Sequence, residues 1–173
     1  MSLNVGDSFP STVFSYVPYA AESTGVTACG NPIPYDTSKK FQGKKVVIVA
    51  VPGAFTPTCT ANHIPPYLSQ VEKFKAAGVD QVIVLSANDP FVNNAWGKAL
   101  NGIKEDNFVI FASDPNAKFS QSIDRSLDLT DKGLGIRTSR YAIVVDNNKV
   151  VYNEQEPGSD VSVSSAETVL SKL

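Results

Sequence analysis

A chain of 173 residues, 42% hydrophobic and 18% charged with 11 Gly and 11 Pro, has ordinary globular composition, which excludes a disordered, collagenous or coiled-coil molecule. At roughly 100–200 residues per domain it is expected to form one domain over 1–173, large enough to need no disulfide or metal staple. Fifteen Lys and Arg against 17 Asp and Glu leave a net charge of -2 and no basic stripe to track a phosphate backbone, so nucleic acid is not an expected partner.

The first residues, Met1 to Asp7, have neither the basic nor the apolar stretch of a secretory leader, and two cysteines are too few for a secreted disulfide scaffold. The expectation is a chain outside the oxidising compartments. The longest apolar run, Val46 to Phe55, contains Pro52 and Gly53 and is about half the length that spans a bilayer, so no membrane span is expected. Its first part, Val46 to Val51, is an unbroken and largely β-branched run, the pattern of a strand buried on both faces at the centre of a sheet. Thr60 to Ala77 carries apolar residues at Ile64, Leu68, Val71 and Phe74, near-helical spacing that ends at Gly78, and Pro65 and Pro66 are expected to bend or restart this helix early. Strands are expected at Val82–Leu85 and Phe108–Phe111. Asp89-Pro90 and Asp114-Pro115 each read as an N-cap before proline at the first helical position. Tyr141–Val145 and Lys149–Tyr152 flank Asp146-Asn147-Asn148 and read as a hairpin. Ser164-Ser165-Ala166-Glu167 reads as a capping box opening a short helix docked by Val169 and Leu170, with the last three residues extending beyond it. Strand and helix alternate through most of this order before the hairpin, which makes an α/β fold whose sheet mixes parallel and antiparallel strands.

In open α/β sheets, ligands sit beyond the carboxyl ends of central strands, where the following helix presents free N–H groups. Pro52-Gly53-Ala54-Phe55-Thr56-Pro57-Thr58-Cys59 occupies that place, with Cys59 in the first helical turn or just before it. A thiolate there is stabilised by the helix dipole and unpaired amides. An inert buried cysteine also fits the position, but the neighbours Thr56, Pro57, Thr58 and Thr60 favour the reactive reading. His63 lies four residues on, which leaves a Cys-His hydrolase dyad open as a minor reading; no motif supplies an orienting Asn or Asp for it. Cys29, Cys59 and His63 give only three zinc ligands without a recognised spacing, so no metal is expected. No phosphate loop or dinucleotide fingerprint occurs, so no bound cofactor is expected and electrons would arrive through thiols. Ser171-Lys172-Leu173 has the form of an address read by the peroxisomal import receptor, which makes that receptor an expected partner and the peroxisome the expected compartment, with cytosolic residence open beside it.

Pro52, Thr56 and Cys59 in the spacing Pro-x-x-x-Thr-x-x-Cys resemble the signature of the peroxiredoxins. The longer string from Pro52 to Cys59, with His63, Asn88-Asp89-Pro90-Phe91-Val92, Ala95-Trp96-Gly97 and Arg137-Thr138-Ser139-Arg140-Tyr141, is similar to the type-five subgroup, most of all to fungal alkyl hydroperoxide reductase-like and peroxisomal members, several known as allergens. The resemblance runs from about Asp7 to the C-terminal helix. It implies a thioredoxin-like fold, a mixed central sheet flanked by helices, and a thiol-dependent peroxidase acting on hydrogen peroxide and alkyl hydroperoxides. It implies further that Cys59 is the peroxidatic nucleophile, that the Thr56 hydroxyl bonds the thiolate or the peroxide, that Pro52 shields the site, and that Arg140 holds the thiolate and polarises the peroxide. Arg137 is expected to be solvated, Trp96 to belong to the core, and His63 to be a structural or substrate-lining neighbour. Many relatives resolve the oxidised cysteine with one near the C-terminus, but Glu156 to Leu173 contains none. Fungal members use a cysteine about 30 residues upstream, commonly across a homodimer, and Cys29 matches that place. A spectator Cys29, with an external thiol such as glutathione resolving Cys59, stays open beside it; thioredoxin is the other reductant implied. The competing function is a non-catalytic thioredoxin-like redox sensor or chaperone, on which Thr56 and Arg140 would be wasted.

Overall fold

The computed structural model describes residues 2–173. Two short strands, β1 (Val13–Tyr16) and β2 (Ile33–Asp36), and the one-turn helix α1 (Thr37–Lys40) lead into β3 (Lys45–Ala50). A π-helical turn (Cys59–His63), α2 (Ile64–Ser69) and α3 (Val71–Ala76) then carry the chain to β4 (Gln81–Ser86), α4 (Pro90–Ala99) and β5 (Val109–Ser113). After α5 (Lys118–Ser122) come the hairpin β6 (Ser126–Leu129) and β7 (Gly135–Thr138), then β8 (Tyr141–Asp146), β9 (Lys149–Gln155) and α6 (Ala166–Leu170). Among the described residues, seven strands form one sheet in the order β2-β1-β5-β4-β3-β8-β9, while β6 and β7 pair separately.

The apolar run at Val46 to Val51 has the central place its composition predicts: β3 pairs in parallel with β4 and antiparallel with β8. Its side chains divide with the period of two that a strand imposes. Val47, Val49 and Val51 join a core with Tyr67, Phe74, Trp96 and Val169, whereas Val46, Ile48 and Ala50 face Phe14, Phe41 and Phe119. Helices α2, α3, α4 and α6 therefore cover one face of the sheet, and α5 the other. The expected hairpin is present, with Asp146 opposite Lys149 and both turn residues, Asn147 (φ 47°) and Asn148 (φ 64°), left-handed, as a two-residue turn demands.

Three local expectations change. The helix after the cysteine does restart early, as read: the π-helical turn closes where the Ile64 N–H bonds the Cys59 carbonyl five residues back, and α2 opens at Ile64 with both prolines in its first turn. A wider turn relieves the clash of each proline ring with the preceding turn. The break proper falls at Gln70 (φ -109°, ψ 18°), between α2 and α3. Asp114 does not cap a helix at Pro115, because Asn116 and Ala117 are left-handed; its carboxylate instead accepts the Phe119 and Ser120 N–H groups of α5, each at 2.9 Å. The cap of α6 is Ser165, which accepts the Thr168 N–H, and not Ser164 of the expected capping box. Asp89 does cap α4 as read, accepting the Phe91 and Val92 N–H groups.

Helix α4 lies so close to β5 that only glycine fits at position 97. An added Cβ would stand 2.6 Å from Phe111 Cδ2 and 2.9 Å from Ile103 Cδ1. The Phe111 ring has no free space to yield, since it is buried edge-on against Trp96 at 5.6 Å. Gly97→Ala is therefore expected to cost ~1–3 kcal/mol by overpacking. A lower urea midpoint at unchanged slope would register it; an unaltered midpoint would show that the helix can lift off the sheet freely.

Candidate active site

The chain leaves β3 in line with the sheet, the Val51 N–H bonding the Leu85 carbonyl at 2.9 Å and the Val51 carbonyl accepting the Thr138 hydroxyl at 2.6 Å. It then turns sharply, with Phe55 left-handed at φ 60°, a strained place for an aromatic residue, and 54% exposed. The turn ends where helical backbone starts at residue 57, so Cys59 lies in the first turn. It is 1% exposed. The next residue is tied to α4, the Trp96 indole donating to the Thr60 hydroxyl at 3.1 Å. Trp96 is a core residue, as read.

Arg140 precedes Cys59's neighbour strand. In the antiparallel register Tyr141 stands opposite Ala50, so Arg140, one residue before β8, falls beside the carboxyl end of β3 where the Cys59 loop begins. Its Nη1 and Nη2 each lie 3.5 Å from Cys59 Sγ, and Nη1 also lies 2.8 Å from His63 Nδ1. The side chain is 7% exposed, and among the described residues no carboxylate forms an ion pair with it. Nε has no hydrogen-bond partner among those residues. A buried cation so placed favours negative charge on the sulfur and on any oxygen bound beside it.

His63 is fully buried, and both ring nitrogens are engaged: Nδ1 with Arg140, Nε2 with the Ser164 carbonyl at 2.9 Å and its hydroxyl at 3.1 Å. That use of the ring removes the Cys-His dyad reading. Burial is the main cause that pushes its pKa down, to about 4, with the Arg140 charge adding to the shift against the opposing pull of the Ser164 carbonyl and Glu156. The same Ser164 carbonyl accepts the Tyr67 hydroxyl at 2.7 Å. Behind it, Glu156 accepts the Ser162 and Ser164 N–H groups and both their hydroxyls, at 2.6–2.7 Å. Burial raises the Glu156 pKa, but these bonds outweigh it and leave the carboxyl below its ordinary value.

The other site residues depart from expectation in part. The Thr56 hydroxyl donates to the Gly53 carbonyl at 2.7 Å, closing the loop on itself, and its remaining lone pairs are what it can offer a thiol or peroxide proton. Arg137, expected to be solvated, is half-buried: it donates to the Leu134 carbonyl at 2.7 Å, to the Pro52 carbonyl at 3.3 Å and to Asn88 Oδ1 at 3.4 Å, the oxygen that also receives the Ala54 N–H. Pro52 and Arg140 line one end of a cavity of about 330 Å³ whose wall includes Leu127, Leu129 and Pro157. Cys29 is a free, exposed thiol donating to Asn94 Oδ1 at 3.7 Å. The three last residues do not extend away; Lys172 and Leu173 continue the turn of α6, and Leu173 packs against the core. Sequence reading missed Glu156 and Ser164 as site residues. Nothing in the local pattern marks them, since their connection to Cys59 exists only in three dimensions. Among the described residues, no group of three or more His, Cys, Asp or Glu could share a metal ion, and no helix is long and apolar enough to cross a membrane.

A thioredoxin-like sheet with a buried cysteine at the head of a helix, under a buried arginine, defines a thiol oxidoreductase. Residues 4–170 match the family model described as Redoxin. The chain is 55% identical over 168 residues to a protein of Lipomyces kononenkoae named as a peroxisomal peroxiredoxin, covering 96% of this chain and 99% of that one. It is 49% identical over 175 residues to peroxiredoxin Pen c 3 of Penicillium citrinum, with full coverage of both. Among solved structures, reduced Prx3 of Vibrio vulnificus in complex with H2O2 superposes with a TM-score of 0.83 at 34% identity, covering 98% of each chain. The chain belongs to the Redoxin family, and within it to the peroxiredoxins, the thiol-dependent peroxidases.

The buried imidazole makes folding pH-dependent. Between about 6.5 and about 4 the unfolded chain's His63 binds a proton that the folded one refuses. Its contribution is thus present above 6.5 and lost as the pH falls through that window, by about 3 kcal/mol at the bottom. Urea melts near pH 7 and near pH 4.5 measure the loss, and His63→Gln, which cannot take up a proton, should flatten the slope.

Proposed function

We propose that the whole chain is one peroxiredoxin domain in which Cys59 is the peroxidatic nucleophile and Arg140 its activating cation. The observation that carries this reading is the convergence of both terminal nitrogens of a buried, carboxylate-free arginine on one sulfur. The Cys59 thiolate attacks the hydroxyl oxygen of R–O–O–H; the S–O bond forms, the O–O bond breaks, and its electron pair leaves on R–O⁻, which takes a proton to become water or an alcohol. Cys59 is left as a sulfenic acid. The unpartnered Arg140 Nε–H is a donor free for the peroxide, the Thr56 hydroxyl is a second polar group at the loop, and Pro52 keeps bulk water out. The apolar wall of Leu127 and Leu129 beside Arg140 suits the carbon tail of an organic hydroperoxide.

Cys29 then acts as the resolving thiol: its sulfur attacks Cys59, expels the sulfenate oxygen as water, and forms a disulfide that an external dithiol or glutathione-type reductant reopens. Cys29 meets α4 at Asn94, whereas the Cys59 turn meets it at Trp96, two positions and about 200° around the helix. That separation favours a disulfide between subunits of a homodimer, for which the half-exposed Phe55 and Phe91 supply apolar surface. Peroxisomal residence is supported by the name of the Lipomyces relative and by Ser171-Lys172-Leu173, the element an import receptor would read.

Cys59→Ser is expected to abolish peroxide turnover with every reductant, because a hydroxyl is not ionised at neutral pH; substantial residual activity refutes the assignment. Cys29→Ser should permit one oxidation of Cys59 to sulfenate or sulfinate, seen by mass spectrometry after one equivalent of peroxide, without a disulfide. If the unmodified protein forms no Cys29–Cys59 linkage under that treatment, the resolving role is wrong. Removing Ser171, Lys172 and Leu173 from an N-terminally tagged chain, in cells lacking the full-length protein, should move it from peroxisomes to the cytosol. Persistent import there sinks the address.

A further inference from the structure

The hydrogen-bond directions around His63 are fixed by chemistry alone. The Ser164 carbonyl can only accept, so the ring hydrogen sits on Nε2; Nδ1 then carries a lone pair, and the Arg140 Nη1–H, which can only donate, supplies its partner. Glu156 can only accept from Ser164, so that hydroxyl points its hydrogen to the carboxylate and turns a lone pair toward His63 Nε2. A single file of donors and acceptors therefore runs from a carboxylate at the end of β9, through the 157–164 loop and the imidazole, to the guanidinium and the sulfur. Arg140 donates both to the sulfur and to the imidazole, and from the imidazole the bonds run on through Ser164 to Glu156; every member between Glu156 and Cys59 is buried.

We propose that Glu156 is a positioning residue for the peroxidase reaction: acting through Ser164 and His63, it fixes where the Arg140 guanidinium sits relative to Cys59. Arg140 has no carboxylate to fork onto, so its plane is set by the acceptors it meets. Of these the sulfur is the reacting atom, and the imidazole is the one rigid group that aims it. The imidazole in turn is aimed by Ser164, in a loop that Glu156 clamps with three bonds of 2.7 Å. Two of these reach Ser164 itself and the third holds Ser162 in the same loop. Without the carboxylate the loop relaxes, the imidazole rotates, and the guanidinium loses the bond that orients it. The inference rests on Arg140 acting on Cys59, as proposed above.

The test measures the first half-reaction, oxidation of Cys59 by hydrogen peroxide under rapid mixing, together with the fraction of Cys59 present as thiolate at neutral pH from its ultraviolet absorbance. A Cys29→Ser background leaves Cys59 as the one thiol observed. Glu156→Ala should slow the oxidation by ~10- to 100-fold and lower the thiolate fraction, as a displaced activating group does. Glu156→Gln, which keeps an acceptor for Ser162 and Ser164, should restore most of the rate. His63→Asn, which keeps an acceptor near the Nδ1 position, should lose less than His63→Leu. The decisive comparison is a double-mutant cycle: with Arg140→Met already in place, Glu156→Ala should change neither quantity further. An unchanged rate in folded Glu156→Ala, or an effect of the same size with and without Arg140, overturns the relay. If Glu156→Ala does not fold, the two His63 variants with and without Arg140 carry the same cycle. Arg140→Met with an unaltered rate would instead overturn the role of Arg140, and the relay with it; a slow Arg140→Met beside an uncoupled Glu156→Ala overturns the relay alone.

Discussion

A guanidinium taken out of water costs several kcal/mol unless acceptors and an opposite charge surround it. Arg140 meets that demand with a sulfur and an imidazole nitrogen and no directly paired carboxylate. The constraint works in both directions: the sulfur and the imidazole nitrogen give the buried guanidinium acceptors, and the guanidinium holds two N–H donors at the sulfur. An arginine ion-paired to aspartate would be more secure and chemically idle, its field spent on its partner. Here the Glu156 carboxylate bonds Ser164 and not the guanidinium, while the Glu156 N–H bonds the Arg140 carbonyl at 2.9 Å.

The fold serves this constraint by topology. Residues 81 apart in sequence meet because β8 runs antiparallel to β3, so the start of one strand lies at the end of the other. The loop between β3 and the helix is then held from several sides: by Thr138 at Val51, by Arg137 at Pro52, by Asn88 at Ala54, and through Thr60 by Trp96 of α4. The closeness of α4 to the sheet, which excludes a Cβ at Gly97, is what brings the Trp96 indole within reach of Thr60. Packing on one face of the sheet and polar geometry at its end are thus one construction.

What could be read in advance follows from how local each signal is. The central strand was legible because six apolar residues in a row have one economical explanation, and the hairpin because Asn147 and Asn148 tolerate left-handed backbone. β1, β2, β6 and β7 were not, because strands of four residues show no usable alternation, and β2 carries Pro34 at the sheet edge. At position 164 two serines in succession offered two caps; the backbone chose Ser165 and left Ser164 to face His63. Cys59 stood out by its polar neighbours, and Thr56, Pro52 and Arg140 by resemblance. Glu156 did not, since a glutamate at a strand end reads as solvated until the loop that folds over it is seen. Arg137 is half-buried because two of its three acceptors, Pro52 and Asn88, lie 85 and 49 positions away, while only Leu134 is local.

Burial of the Cys59 sulfur, at 1% exposure, acts as a sieve on reagents. A two-oxygen molecule needs only a crevice to come into line with the sulfur. A tripeptide thiol or the cysteine of another protein needs an opening the width of a side chain and its backbone. In the conformation described, oxidant and reductant are therefore sorted by size before any chemistry distinguishes them.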